Sequence, residues 1–252
     1  MIGGPLRLLL LLLAALPARG EEVVAALSQD RVSISTSFDG SEILIYGAVK
    51  RDAPADGPPL GVIVTVAGPE GPVTVRRKDR RLGIWVNAEA VTLTSAPSFY
   101  AVETSLPLSD GLARVEDQRH RITTRRMIRD VGAASAVDDP GGFREALIRI
   151  KRDEGAYALD EGGVTLTDET LFSASVALPS ALTEGNYVTR IFLTRGGRVV
   201  DRFETEIFVR KVGLERWLYV MAHERPLLYG LMSLALAIGA GWAASAAFRW
   251  MR

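Results

Sequence analysis

The sequence predicts a mainly β protein, an immunoglobulin-like β-sandwich with a short helical insertion, followed by one C-terminal transmembrane helix. Three observations carry that expectation. Short runs of alternating apolar and polar residues recur between Gly-, Pro- and Asp-rich turns, the pattern of half-buried sandwich strands. One segment, around Asp139-Pro140, carries helix signals instead. Finally, Leu227 to Phe248 runs for about 22 residues without a charge, enough at about 1.5 Å per residue to cross a hydrocarbon core of about 30 Å.

At the N-terminus, Arg7 is the only charge before the apolar run Leu8–Leu16, and Pro17-Ala18-Arg19-Gly20 supplies small residues for a cut after Gly20. This is the layout of a secretory signal peptide over 1–20, with an apolar core too short to span a bilayer. A retained signal anchor is the alternative. With the first segment leading the chain across and the last one stopping it, residues 21 to about 225 are expected outside and the tail 249–252 inside. Arg210, Lys211, Arg216 and Arg225 precede the span, but a long translocated domain crosses largely regardless of charge.

The chain contains no cysteine, so the exported domain must rest on its apolar core, and thiol chemistry and Cys-type metal sites are excluded. Formal net charge is zero, so no global field favours nucleic acid.

Taken in order, residues 21–105 form the first part of the sandwich. Val32–Thr36 alternates, Asp39-Gly40 signals a hairpin, and Glu42–Val49 follows as its second strand. After a Pro/Asp/Gly loop from Ala53 to Pro59 come Val62–Val66, the turn Gly68–Gly71, Val73–Lys78, Gly83–Asn87 and Ser98–Val102, about seven strands in all. Residues 106–157 form the helical, basic insertion. There Asp139 caps a helix with Pro140 at its first position, and Phe143, Leu147 and Ile150 fall on one face, so this helix is expected to lie on the sandwich. Residues 158–210 return to strands with Val164–Leu166 and Leu171–Val176. The clearest hairpin joins Asn186–Thr194 to Arg198–Val209 through Gly196-Gly197, with Val199, Phe203, Ile207 and Val209 expected on one face. In 211–226, Leu214, Trp217, Leu218 and Met221 stripe a short amphipathic helix suited to the headgroup layer. The span 227–248 completes the chain, with Tyr229 and Trp250 at interfacial positions. A buried core helix, the other reading of that stretch, would need partners on all sides.

Candidate chemistry is sparse. Neither His120 nor His223 lies in a metal-binding pattern, no nucleophile elbow occurs, and the expectation is no enzyme, no metal and no cofactor. His120 lies between Arg119 and Arg121, which should disfavour its protonation. Two basic clusters, Arg76–Arg81 and Arg119–Arg129, could hold an anion or anionic headgroups through charge-assisted hydrogen bonds. The residues assigned to that role are Arg76, Arg77, Lys78 and nearby Asn87. Solvated charges at a strand end and turn account for the same pattern. In the span, Ala235, Gly239, Ala243 and Ala247 recur every four residues, a face that lets another helix approach closely. A plain alanine-rich anchor is the alternative. Trp85 and Phe99 are expected to be buried aromatics.

The stretch Ser37–Ala48, together with Arg76-Arg77-Lys78, Gly83-Ile84-Trp85-Val86-Asn87 and Pro97–Val102, resembles an alphaproteobacterial family of transmembrane proteins over nearly the whole chain. The resemblance implies a single-pass protein of the bacterial inner membrane with its N-terminal domain in the periplasm, and supplies no catalytic residues. It also implies an accessory role beside a permease of sulfite or sulfonate exporter type. The expected partners are therefore the lipid bilayer and another integral membrane protein, with no nucleic acid. A periplasmic anion- or headgroup-binding module is the first rival reading, an envelope structural or adhesion protein the second, and a hydrolase the last.

Overall fold

The computed structural model describes residues 21–34, 39–51, 57–130, 139–211 and 214–250. The signal peptide expected over 1–20 lies outside the described residues. Two sheets form a sandwich. In the four-stranded sheet the order is β1 (Glu22–Leu27), β3 (Ser41–Lys50), β10 (Leu171–Leu178), β9 (Val164–Thr167), all antiparallel. The six-stranded sheet runs β2 (Arg31–Ile34), β12 (Arg198–Lys211), β11 (Gly185–Arg195), β4 (Leu60–Ala67), β7 (Tyr100–Thr104), β8 (Tyr157–Glu161). Its outer pairs, β2 with β12 and β7 with β8, are parallel. This is the immunoglobulin arrangement: β1, β3, β10 and β9 take the places of strands A, B, E and D, and β4, β11 and β12 those of C, F and G.

The Asp39-Gly40 hairpin does not form. β2 pairs with β12 in one sheet, while β3 pairs with β1 and β10 in the other, so the connection crosses between sheets. Asp-Gly permits a hairpin, but each strand finds longer apolar partners elsewhere. Backbones also approach closely within the four-stranded sheet. A Cβ at Gly47 would stand 2.5 Å from the Val24 carbonyl oxygen and 2.6 Å from the Phe172 ring.

One core fills the space between the sheets, with Ile43, Ile45, Val62, Val64, Val66, Val176, Ile191 and Ile207 among its members. A second lies on the outer face of the six-stranded sheet, where Ile63, Tyr100, Val102 and Phe192 meet a ribbon and a helix. Every residue of β4 is buried, because both of its faces are covered. The ribbon consists of β5 (Glu70–Arg81) and β6 (Ile84–Pro97), which pair with each other and turn at Leu82-Gly83; Ser95 also bridges to Arg129. The sequence reading ended these strands at Lys78 and Asn87; the alternation in fact continues through Val91 and Leu93, whose side chains are buried.

Among the described residues, four helices lie between β7 and β8: α1 (Leu108–Gly111), α2 (Arg114–His120), α3 (Thr124–Met127) and α4 (Pro140–Asp153). Asp139 caps α4 as expected, its Oδ1 accepting the Gly142 amide at 2.9 Å. Phe143, Leu147 and Ile148 are buried beneath α4, each worth about 1.5–3 kcal/mol of apolar transfer. Ile150, expected on that face, is instead exposed at the helix flank.

The β11–β12 hairpin forms as expected, with φ positive at both Gly196 and Gly197. A bulge beside Leu193/Thr194 pairs Thr194 with Val199 and Leu193 with Asp201. Val199 therefore joins the outer core, whereas Phe203, Ile207 and Val209 face the inter-sheet core. The expected single face is thus split, since an extra residue in one strand reverses the alternation beyond it.

Two helices end the chain, α5 (Leu214–Glu224) and α6 (Pro226–Trp250). Only Arg225 separates them, its amide donating to the Met221 carbonyl at 3.1 Å. No residue of α6 from Pro226 to Ala246 is buried, and Leu227, Leu234, Ile238 and Trp242 are exposed. A core helix would bury such side chains; this one is long and apolar enough to cross a membrane.

Candidate functional site

β5 alternates until Val75, the last buried residue of that strand, and then continues as Arg76-Arg77-Lys78 with every side chain exposed. The first three cations of this run are thus not at a strand end; the turn comes four residues after Lys78. They face α4 across a groove of about 350 Å³, whose walls include Val75, Arg76, Arg77 and Lys78 on one side and Phe143, Ala146 and Arg149 on the other. Asn87 is the register partner of Lys78 across the ribbon and is exposed, outside the groove wall.

Arg77 is already engaged. Its guanidinium lies 2.7 Å from Glu89 Oε2 across the ribbon and stands 5.8 Å from the Phe143 ring centroid. Among the described residues, Arg76, Lys78 and Arg149 have no carboxylate partner. Asp139, the one carboxylate on the groove wall, spends an oxygen capping α4. The arrangement offers several cationic donors around an open, partly apolar channel. Chemically it suits a carboxylate, sulfonate or phosphate held by charge-assisted hydrogen bonds, and the attraction should weaken with salt.

Four arginines of the second basic cluster are spent within the fold. Arg119 pairs with Glu116 at 3.2 Å, Arg125 with Glu145 at 3.3 Å, Arg126 with Asp117 at 3.8 Å and Arg129 with Glu70 at 3.2 Å. Asp117 also receives the Ile122 and Thr123 amides, which fixes the chain where Arg121 adopts a positive φ after α2. His120 is held below the usual histidine range chiefly by burial, against the opposing pull of Glu116, with Arg202, Arg119 and Arg190 adding to the depression. Arg121, to which the sequence reading gave a share of this effect, is not among the causes.

Residues that sequence reasoning passed over do most of the internal polar work. Arg190 donates to the carbonyls of His120 at 2.8 Å and Arg121 at 3.1 Å and to the Tyr100 hydroxyl at 3.2 Å, latching α2 to the sheet. Burial pushes the Tyr100 phenol up to about 12, and it donates to the Ile122 carbonyl at 2.6 Å. Arg195 clamps Glu21 with both nitrogens, at 2.6 and 3.1 Å. On β7, Glu103 is buried beside Asp160 with one oxygen unpartnered. An isolated arginine or glutamate in a strand carries no periodic signal, so none of these could be singled out from spacing.

On α6, Ala235, Gly239 and Ala243 follow one another at helical spacing, and nothing lies within 4 Å of a Cβ built at Gly239. Ala247 belongs to the same helix, its side chain outside the described residues.

A family profile described as "Putative transmembrane protein (Alph_Pro_TM)" matches residues 22–250. No curated protein matches the chain. Among solved structures, the crystal structure of Spo0M, the sporulation control protein from Bacillus subtilis, is similar over 82% of this chain at 12% identity and a TM-score of 0.28. The match covers 55% of that chain, so it spans about half its length. So loose a likeness bears on neither fold nor function.

Proposed function

The chain belongs to this family of transmembrane proteins, and on that premise we propose that it is a single-pass inner-membrane protein whose immunoglobulin-like domain stands in the periplasm. It acts without chemistry of its own, as an accessory or assembly partner of another integral membrane protein. The anion exporter suggested by the sequence resemblance is the first candidate for that partner. The observation that carries the reading is α6, which is apolar all round and has no buried residue from Pro226 to Ala246 among the described residues. Only α5 and a few residues separate it from β12, so the sandwich is tethered without a long stalk.

A tagged full chain extracted in mild detergent should co-purify with an integral membrane protein. Gly239→Leu should insert normally, because Leu suits lipid as well as Gly, yet lose at least about 1 kcal/mol of helix association, several-fold in recovery. Equal recovery from wild type and variant would remove α6 as the contact. Failure to recover any membrane protein would remove the accessory role itself.

The groove beside α4 favours a second reading, an anion-binding module, because Arg76, Lys78 and Arg149 line it without a carboxylate partner among the described residues. Titration of the full chain with methanesulfonate at low salt should show binding that Arg149→Ser weakens about tenfold. Unchanged heats for that variant would leave the cations as solvated charge.

A further inference from the structure

We propose that the free end of the β5–β6 ribbon is a finger that docks on an anionic lipid surface. From Arg76 to Asn87 every residue of the ribbon is exposed. Within that stretch Leu82 is 103% exposed, Ile84 68% and Trp85 66%, so the tip shows apolar side chains to solvent with no core beneath them. Register places Arg81 opposite Ile84 and Arg80 opposite Trp85, so each face of the ribbon carries an apolar residue beside an arginine.

The turn itself is strained toward this display. Leu82 takes φ +51° and Gly83 +83°, a two-residue turn whose first position suits Asn, Asp or Gly. A leucine there costs about 1–2 kcal/mol and gains no contact within the fold. Strain of this kind is held by the surrounding structure and clusters at sites that contact ligands or switch.

The occupant follows from charge and area. Between Arg76 and Asn87 stand five cations and one carboxylate, Asp79, which lies 3.7 Å from Arg81 Nε and accepts the Arg80 amide at 2.8 Å. Leucine, isoleucine and tryptophan at the point of a basic collar match the acyl boundary below anionic headgroups, where arginines reach phosphate and tryptophan prefers to lie. A protein partner would need roughly 800 Å² of matched surface from this side, which a two-residue turn and its neighbours do not supply.

Because the chain has no cysteine, Leu82→Cys in the full chain can carry one environment-sensitive fluorophore. The labelled protein is reconstituted into phosphatidylcholine vesicles with and without phosphatidylglycerol, flotation with the vesicles confirms insertion of α6, and a thermal melt confirms the fold. With phosphatidylglycerol the emission should shift to the blue and iodide quenching should fall several-fold. Adding Arg80→Glu and Arg81→Glu should abolish both changes. A fluorophore that stays open to iodide in floated, folded protein overturns the proposal while leaving the membrane anchor intact. So does a shift that needs an added membrane protein and is absent in pure lipid, which would reassign the tip to a protein partner.

Discussion

On β7, Glu103 stands in parallel register with Asp160 of β8 and is only 5% exposed. Burial first, and then Asp160, push its carboxyl up to about 7 from an ordinary value of 4.5. The folded state therefore holds this proton more tightly than the unfolded chain. The sign follows: this group's contribution is most favourable below pH 4.5 and is lost as the pH rises toward about 7. Glu103→Gln keeps the shape and removes the ionisation, so above pH about 7 it should stabilise the protein by about 1–3 kcal/mol. Denaturant melts of wild type and variant should converge toward pH 4.5. A difference that stays constant across that interval would show that Glu103 does not titrate there. The site was invisible in the sequence, since Tyr100–Thr104 reads as an ordinary strand and Asp160 lies beyond a helical insertion.

At the scale of elements, the β5–β6 ribbon separates two aromatics that look alike in the sequence. Phe99 is buried against Tyr187, ring centroids 6.0 Å apart, while Trp85 stands near the ribbon tip. Phe99→Ala should cost about 3–5 kcal/mol. Trp85→Ala should change stability by no more than about 0.5 kcal/mol, contrary to the burial expected of it. Thermal unfolding of the two variants decides the matter; a large loss for Trp85→Ala would mean that the tip is covered in solution. GIWVN reads as a core strand because its alternation is correct, but it pairs with β5 at the ribbon tip and, among the described residues, its side chains stay exposed.

For the molecule as a whole, α6 leaves the sandwich after β12, so the proposed orientation concerns where that domain stands. A reporter active only in the periplasm should work when inserted after Val209 and be silent when fused after Arg252. Activity at Arg252 would reverse the orientation. Even in the reversed case the fold would stand, because the immunoglobulin topology is held by its own two cores.

The sequence by itself determined the features that local chemistry sets. Uncharged length made α6 a membrane helix, Asp139-Pro140 began α4, and Gly196-Gly197 turned the β11–β12 hairpin, because each signal is complete within a few neighbouring residues. Tertiary structure alone decided which strands pair and which faces are covered. Asp39-Gly40 became a crossing between sheets because β2 pairs with β12 while β3 pairs with β1 and β10 in the other sheet. β4 became wholly buried while the equally apolar tip at Ile84-Trp85 stayed in solvent. Burial depends on what comes to lie over a face: β4 is covered by the four-stranded sheet on one side and by the β5–β6 ribbon and helices on the other, whereas among the described residues nothing lies over the tip.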